Sequence, residues 1–197
     1  MLSFSSISQH LRRSFFRLQF ALALLFTSAS SLRAAEPTEY EIKAAMIYRL
    51  AQFMEWPSNR FDSASAPLSL AIMGKDPFGD SIDTVLKNQK IGDRDILIHR
   101  LPSHADNRTN HHVIYLSTSL SAEAQNIISS VRTNAVFTVG EGEDFTTRGG
   151  HARIYLEQKK VRFEINIAAM ERSGLKLHSQ VMKLATRITR DGKDVKK

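Results

Sequence analysis

Three aspartates, Asp76, Asp80 and Asp83, crowd the segment "KDPFGDSID". Carboxylates this close can share acid–base work, one holding a proton that the other lacks. A helix start asks for the same spacing. Asp76 would cap, Pro77 would take the first helical position, and Asp80 would face the positive end of the helix dipole. That account is simpler and needs no substrate. His111-His112 raises the question of a metal. In a strand, adjacent side chains point to opposite faces, so the pair cannot grip one ion. No HxxxH or HExxH spacing occurs, and a metal needs three or four converging ligands. The expectation is one packed and one exposed histidine, and no metal. Gly140 and Gly142 in "VGEGEDF", with Gly149 and Gly150 in "RGGH", match neither a Walker loop nor GxGxxG and read as a loop rim. Serines abound without a GxSxG elbow. No catalytic set emerges, so a non-enzymatic protein with no cofactor is expected.

The elements that would position these residues follow from periodicity. Thr38 and Glu41 have capping-box spacing ahead of a helix that Pro57 stops at Trp56. Ile42, Ala45, Met46, Leu50, Phe53 and Met54 form one apolar stripe, expected to cover a sheet, with Lys43, Arg49 and Gln52 off it. Tyr48 and Trp56 are left where a partner or ligand could touch. "PLSLAIMG", "DILIHRL", "HHVIYLS" and "NAVFTVG" read as buried strands. Helices over "KDPFGDSIDTVLKN" and "SAEAQNIISSVR" alternate with them. "HARIYLEQKKVRFEIN" alternates around Gln158-Lys159 as an antiparallel hairpin, with Phe163 on the apolar face and Arg162, Glu164 and Asn166 on the polar one. "IAAMERSGLKLHSQVMKLATRI" closes the chain as helices broken near Gly174. The fold class is α/β: a mostly parallel sheet covered by helices on both faces, with a C-terminal antiparallel hairpin and closing helices. In such sheets ligands bind beyond the strand carboxyl ends. Asp76 and Phe78 stand beside those ends, and they and Trp56 are the candidate ligand-binding residues for a small molecule or cell-wall fragment.

Residues 1–34 read as a secretory signal: Arg12, Arg13 and Arg17, then the apolar "FALALLF", then small residues with a cut near Ala34. Its apolar core is far shorter than the ~20 residues of a membrane span. The chain carries 27 basic and 20 acidic residues, a net +7. Without the four arginines of the leader the balance is 23 basic to 20 acidic, or +3. That is no nucleic-acid footprint. There are no cysteines, so an exported form has no disulfide, thiol nucleophile or thiolate metal site. Residues 35–190 suit a single domain, and 191–197 read as a polar, frayed tail.

Several segments together resemble YfiR-type periplasmic proteins, in the same order: "EYEIKAAMIYRLAQFMEWP", "IMGKDPFGDSID", "HVIYLS", and the long run from "VFTVGEGEDF" through "VRFEIN" to "GLKLHSQVMKLA". The resemblance covers Tyr40 to about Ile188. It implies a bacterial envelope protein located in the periplasm, of α/β fold, forming homodimers. It also implies repression of an inner-membrane, YfiN-like diguanylate cyclase through that enzyme's periplasmic sensor domain. Release of repression would raise cyclic-di-GMP and promote biofilm formation. The family's third strand often begins with cysteine; here His111 stands in that place, so redox control through the chain's own thiols is absent. The hairpin and the turn after it are the expected partner contact: Phe163, Glu164, Asn166, Leu175 and His178.

Overall fold

A computed structural model describes residues 36–102, 108–190 and 192–195. The expected leader, 1–34, lies outside the described residues. Helix α1 (Glu39–Gln52) begins as the sequence asks. Glu41 N–H donates to Thr38 Oγ1 at 3.3 Å, and Thr38 N–H donates to the Glu41 carboxylate at 2.6 Å. This reciprocal box satisfies two of the orphan donors of the first turn. After the helix, strand β1 (Met54–Glu55) pairs antiparallel with β9 (Lys176–Leu177), and Trp56-Pro57 leads into a 3-10 turn at Ser58–Arg60.

Strands β2 (Leu68–Met73), β4 (Arg94–Leu101), β5 (Val113–Leu116), β6 (Phe137–Gly140) and β7 (Ala152–Glu157) run parallel. β7 and β8 (Lys160–Asn166) form the expected hairpin, turning on Gln158 and Lys159 with φ of 47° and 61°. Two left-handed residues are what a tight hairpin turn needs to match the strand twist. With β10 (Arg187–Arg190), β11 (Lys193–Asp194) and β3 (Lys90–Ile91), the sheet order is β11-β10-β8-β7-β6-β5-β2-β4-β3. The earliest long strand, β2, sits between β4 and β5, so the winding direction reverses there.

Side-chain alternation divides the core. Leu68, Leu70, Ile72, Val113 and Tyr115 meet α1 and helix α2 (Asp80–Leu86). Ala71, Met73, Ile114 and Leu116 meet helix α3 (Ala124–Val131) on the other face. The closing helices are short, α4 (Ile167–Arg172) and α5 (Ser179–Met182), with Gly174 at φ 73° between them.

Some local expectations are overturned. Arg187–Arg190, expected at the end of a helix, is a strand lying parallel on β8, whose outer edge would otherwise be unpaired. Lys193–Asp194 of the expected frayed tail pairs with it, and Arg187 Nε bonds Asp194 at 2.6 Å. Asp76 does not cap α2. Its Oδ1 accepts from Phe78 N at 2.7 Å, and Gly79, at φ 53°, precedes the helix. Both His111 and His112 are buried. His112 is stacked on Phe61 at 4.3 Å, accepts from Ser69 N at 3.0 Å, and has its pKa lowered by burial to about 4. The glycines around 140–150 seat an aromatic ring. A Cβ on Gly140 or Gly150 would strike Phe145, and on Gly150 it would also come within 2.8 Å of the Phe145 carbonyl oxygen. His151 is enclosed beside that loop. Its Nδ1 accepts from Thr138 N at 3.0 Å, and its Nε2 faces Ser173 Oγ at 2.8 Å. Those partners assign the proton to Nε2, and burial lowers the pKa to about 4.

Candidate functional site

The stripe on α1 does not all face the sheet. The buried face is Lys43, Ala44, Ile47, Leu50 and Ala51. Only Leu50 and Met54 of the expected stripe are buried; Ile42, Ala45 and Met46 are half-buried, and Phe53 is 38 % exposed. Ile42, Ala45, Met46, Leu50 and Phe53 line an open groove of about 410 Å³ together with Arg49, Phe163, Val181 and Leu184. One wall is α1 and the other is α5 with the residues after it, while Phe163 of β8 forms the floor. Leu184 stands on the rim at 73 % exposure. The groove-side residues of α1 repeat at three- and four-residue steps over about 16 Å of helix. A contiguous apolar surface with a charged rim, here Arg49, marks an interaction site rather than a packed core.

Lys43 explains why the helix is turned this way. Its side chain is 2 % exposed, and Nζ lies 2.5 Å from Glu39 and 2.6 Å from Glu141. Glu141 follows directly on β6 and also accepts from the Tyr115 hydroxyl. Burial by itself would lower the Lys43 pKa, but the hydrogen bonds and charges of Glu141 and Glu39 reverse it, leaving the ammonium above its ordinary value. The Tyr115 hydroxyl is pushed up by burial and then by Glu141. Lys43, Glu39, Glu141 and Tyr115 thus form a closed polar set. It pins α1 by its polar residue, and the apolar stripe rotates outward.

The expected partner-contact residues fare differently from one another. Phe163 reaches the groove floor. Glu164 and Asn166, expected on an open face, are 6 % and 3 % exposed. Arg153 donates to Glu164 at 3.2 Å, and Asn166 Nδ2 donates to Thr146 O at 2.7 Å. Asn166 Oδ1 accepts from Ala169 N at 2.9 Å and so caps α4. Leu175 is buried at 1 %. Glu164, Asn166 and Leu175 thus offer no contact surface. The base of the hairpin is interior because β10 flanks it and the 141–151 loop folds over its polar side, while its turn, residues 156–160, is exposed. His178 is exposed at the end of the groove, its ring 6.3 Å from Phe53.

The candidate ligand residues are split. Asp76 and Phe78 lie past the carboxyl end of β2 at the switch point. Trp56 lies by the amino end of β5, with Phe61 at 6.3 Å and His112 at 6.4 Å. Phe78 is buried edge-on between Tyr40 and Tyr115, at 5.4 and 4.7 Å. Asp76 and Asp83 both grip Arg100, at 2.7 and 2.5 Å, which raises the guanidinium pKa through Asp83 first and Asp76 second. These carboxylates hold an arginine and a turn. The strand-end crevice is filled by the protein's own side chains, and the cavity beside Ser117, Thr118 and Glu141 measures only about 40 Å³. Among the described residues no three His, Cys, Asp or Glu converge as metal ligands. No described helix is long and apolar enough to cross a membrane.

The signal for the groove was present in the sequence as the α1 stripe, but its direction was not. Val181 and Leu184 were hidden in the closing segment, which reads only as helices broken near Gly174.

Comparison with known proteins gives a family match, YfiR/HmsC-like, over residues 40–186. No curated protein matches. Among solved structures, a conserved domain protein from Vibrio cholerae O1 biovar El Tor is similar at 12 % identity and a TM-score of 0.53. That match covers 78 % of this chain and 61 % of the other. The ABC domain from Streptococcus pneumonia in complex with L-Trp is similar at 10 % identity and a TM-score of 0.50, covering 76 % of this chain and 62 % of the other. The chain thus spans about three fifths of the length of these structures. At such identities the likeness is one of fold.

Proposed function

This chain belongs to the YfiR/HmsC-like family, and from that footing we propose that it is a non-enzymatic periplasmic repressor of an inner-membrane diguanylate cyclase. The observation that carries the reading is the open apolar groove of α1, α5 and Phe163, rimmed by Leu184, Phe53 and Arg49. It replaces the hairpin's polar face as the docking surface for the cyclase's periplasmic sensor domain. Phe163 and His178 stay in the proposed contact; Glu164, Asn166 and Leu175 leave it. The repressor acts by binding one state of the sensor domain better than the other. A near-complete switch requires a difference of about 5.5 kcal/mol between those states. The test is genetic. Deleting the gene raises cellular cyclic-di-GMP, the wild-type chain restores it, and a Phe53→Glu chain accumulates in the periplasm without restoring it. Full repression by Phe53→Glu would remove the groove from the account.

A second reading is a small apolar or cell-wall-derived ligand in the same groove. Its support is the groove's volume and nearly uncharged lining, and a fold neighbour solved with L-Trp. A thermal-shift screen of amino acids and cell-wall fragments separates the two, because a specific ligand raises the melting temperature by mass action.

A further inference from the structure

On the face that it shares with α3, β2 carries two short side chains, Ser69 and Ala71. β4 runs along one side of β2, with His99 in register with Ala71. His111 leads into β5 on the other side. Long rings that flank short residues can meet above them. The imidazoles of His99 and His111 do so, with centroids 5.1 Å apart and planes at 53°.

His111 is 4 % exposed. Its Nδ1 lies 2.6 Å from Ser69 Oγ, whereas its Nε2 is enclosed and has no hydrogen-bond partner. The other buried histidines, His112 and His151, have both ring nitrogens engaged. An unpaired buried nitrogen is destabilising, and in a folded protein it points to a functional site or a bound ion. With the Nδ1 proton donated to Ser69, Nε2 presents its lone pair. Metal-binding histidines are held in this way, since a second nitrogen that donates to an oxygen fixes both tautomer and ring plane. His99 is exposed, so its ring is free to turn about χ2 and bring a nitrogen to the same point.

We propose that His99 and His111 together bind a divalent transition metal of the kind that prefers imidazole, Cu(II) or Zn(II). With two nitrogen donors and no thiolate in the chain, the pair favours Cu(II) over Zn(II), following the general order of affinities. Mg(II) and Ca(II) prefer oxygen and are excluded. The two imidazoles supply part of the coordination set, and the exposed side of His99 leaves the remaining positions to water. Arg60 donates to the His111 carbonyl at 2.7 Å, so a positive charge stands nearby and keeps the affinity modest. His112 takes no part, because its ring is stacked on Phe61 and its Nε2 meets the Arg60 carbonyl. The pair sits on β4 and at the start of β5, whereas β8 floors the apolar groove. The inference therefore does not depend on what that groove binds.

Calorimetric titration of Cu(II), Zn(II) and Mg(II) into the untagged, metal-stripped chain purified from the periplasm tests it. A single saturable ion per chain is expected, tighter for Cu(II) than for Zn(II), with no binding of Mg(II). His99→Ala changes an exposed side chain and should fold, with its affinity weakened roughly tenfold or more. His178→Ala, at an exposed histidine elsewhere, should bind as the wild type does. NMR of the imidazole nitrogens gives a second readout: Zn(II) should shift the His99 and His111 signals together. A wild-type chain without saturable binding overturns the proposal, as does a His99→Ala chain that binds as tightly as wild type. An ion that shifts His178 or His112 and leaves His111 unmoved overturns it too.

Discussion

Replacing Lys43 by methionine keeps an unbranched side chain, one heavy atom shorter, and removes its charge. In the native protein that ammonium is the counter-charge of Glu141, whose side chain is 13 % exposed and which also holds the Tyr115 hydroxyl. Taking away one member of a buried pair costs about 3–5 kcal/mol, because the survivor is left uncompensated. Glu39 contributes less, since its side chain is 36 % exposed and water can take over. The expected loss for Lys43→Met is therefore about 3 kcal/mol, near the lower end of that range. For a domain of this size it corresponds to a fall in melting temperature of roughly 6–12 °C. The double variant Lys43→Met/Glu141→Gln should recover more than half of the loss, since amide and thioether carry no charge. Urea unfolding of wild type, both singles and the double gives the coupling directly. A single variant losing less than about 1 kcal/mol, or a double no better than the single, would refute the claim that this pair orients α1.

The histidines make stability depend on pH. His151 has a folded pKa of about 4 against an ordinary 6.5, so the unfolded chain takes the proton first as pH falls. Its contribution is complete above pH 6.5 and lost down to about pH 4, amounting to about 3 kcal/mol, with His112 acting in the same direction. Denaturation midpoints across that window should fall steadily in wild type and less steeply in His151→Gln. Gly150→Ala must push its new Cβ into Phe145, and about 2 kcal/mol or more of destabilisation is expected by thermal unfolding. Asn166→Ala removes the α4 cap and the bond to Thr146; calorimetry should show a loss of about 2 kcal/mol, whereas an exposed recognition residue would show almost none.

Much of the fold was legible because period and punctuation agree. Thr38 and Glu41 announce α1, Gln158-Lys159 announces the hairpin, and short apolar runs alternating with helices announce a parallel sheet. The family match agrees with the resemblance carried by those segments. The facing of α1 was not legible. Periodicity treats lysine as an outward residue, and nothing local says that Lys43 will find Glu141, nearly a hundred positions later, at a strand end. Glu164 and Asn166 were misjudged for a related reason. Alternation assigns them to one face of the hairpin, but whether that face meets water depends on β10 and the 141–151 loop. The glycine-rich runs read as a loop rim, yet their purpose at Gly140 and Gly150, a flat seat for Phe145, is a tertiary fact.

The groove is the central claim, and calorimetric titration of the periplasmic domain of the proposed partner cyclase against this chain tests it most directly. The decisive variant is Met46→Glu, which places a carboxylate on a partly buried residue of the groove lining and leaves the fully buried face of α1 untouched. Binding by the wild-type chain, weakened about 100-fold or more in a folded Met46→Glu, is the predicted result, because docking would have to bury an unpaired charge. Equal affinity for the two chains would contradict the account.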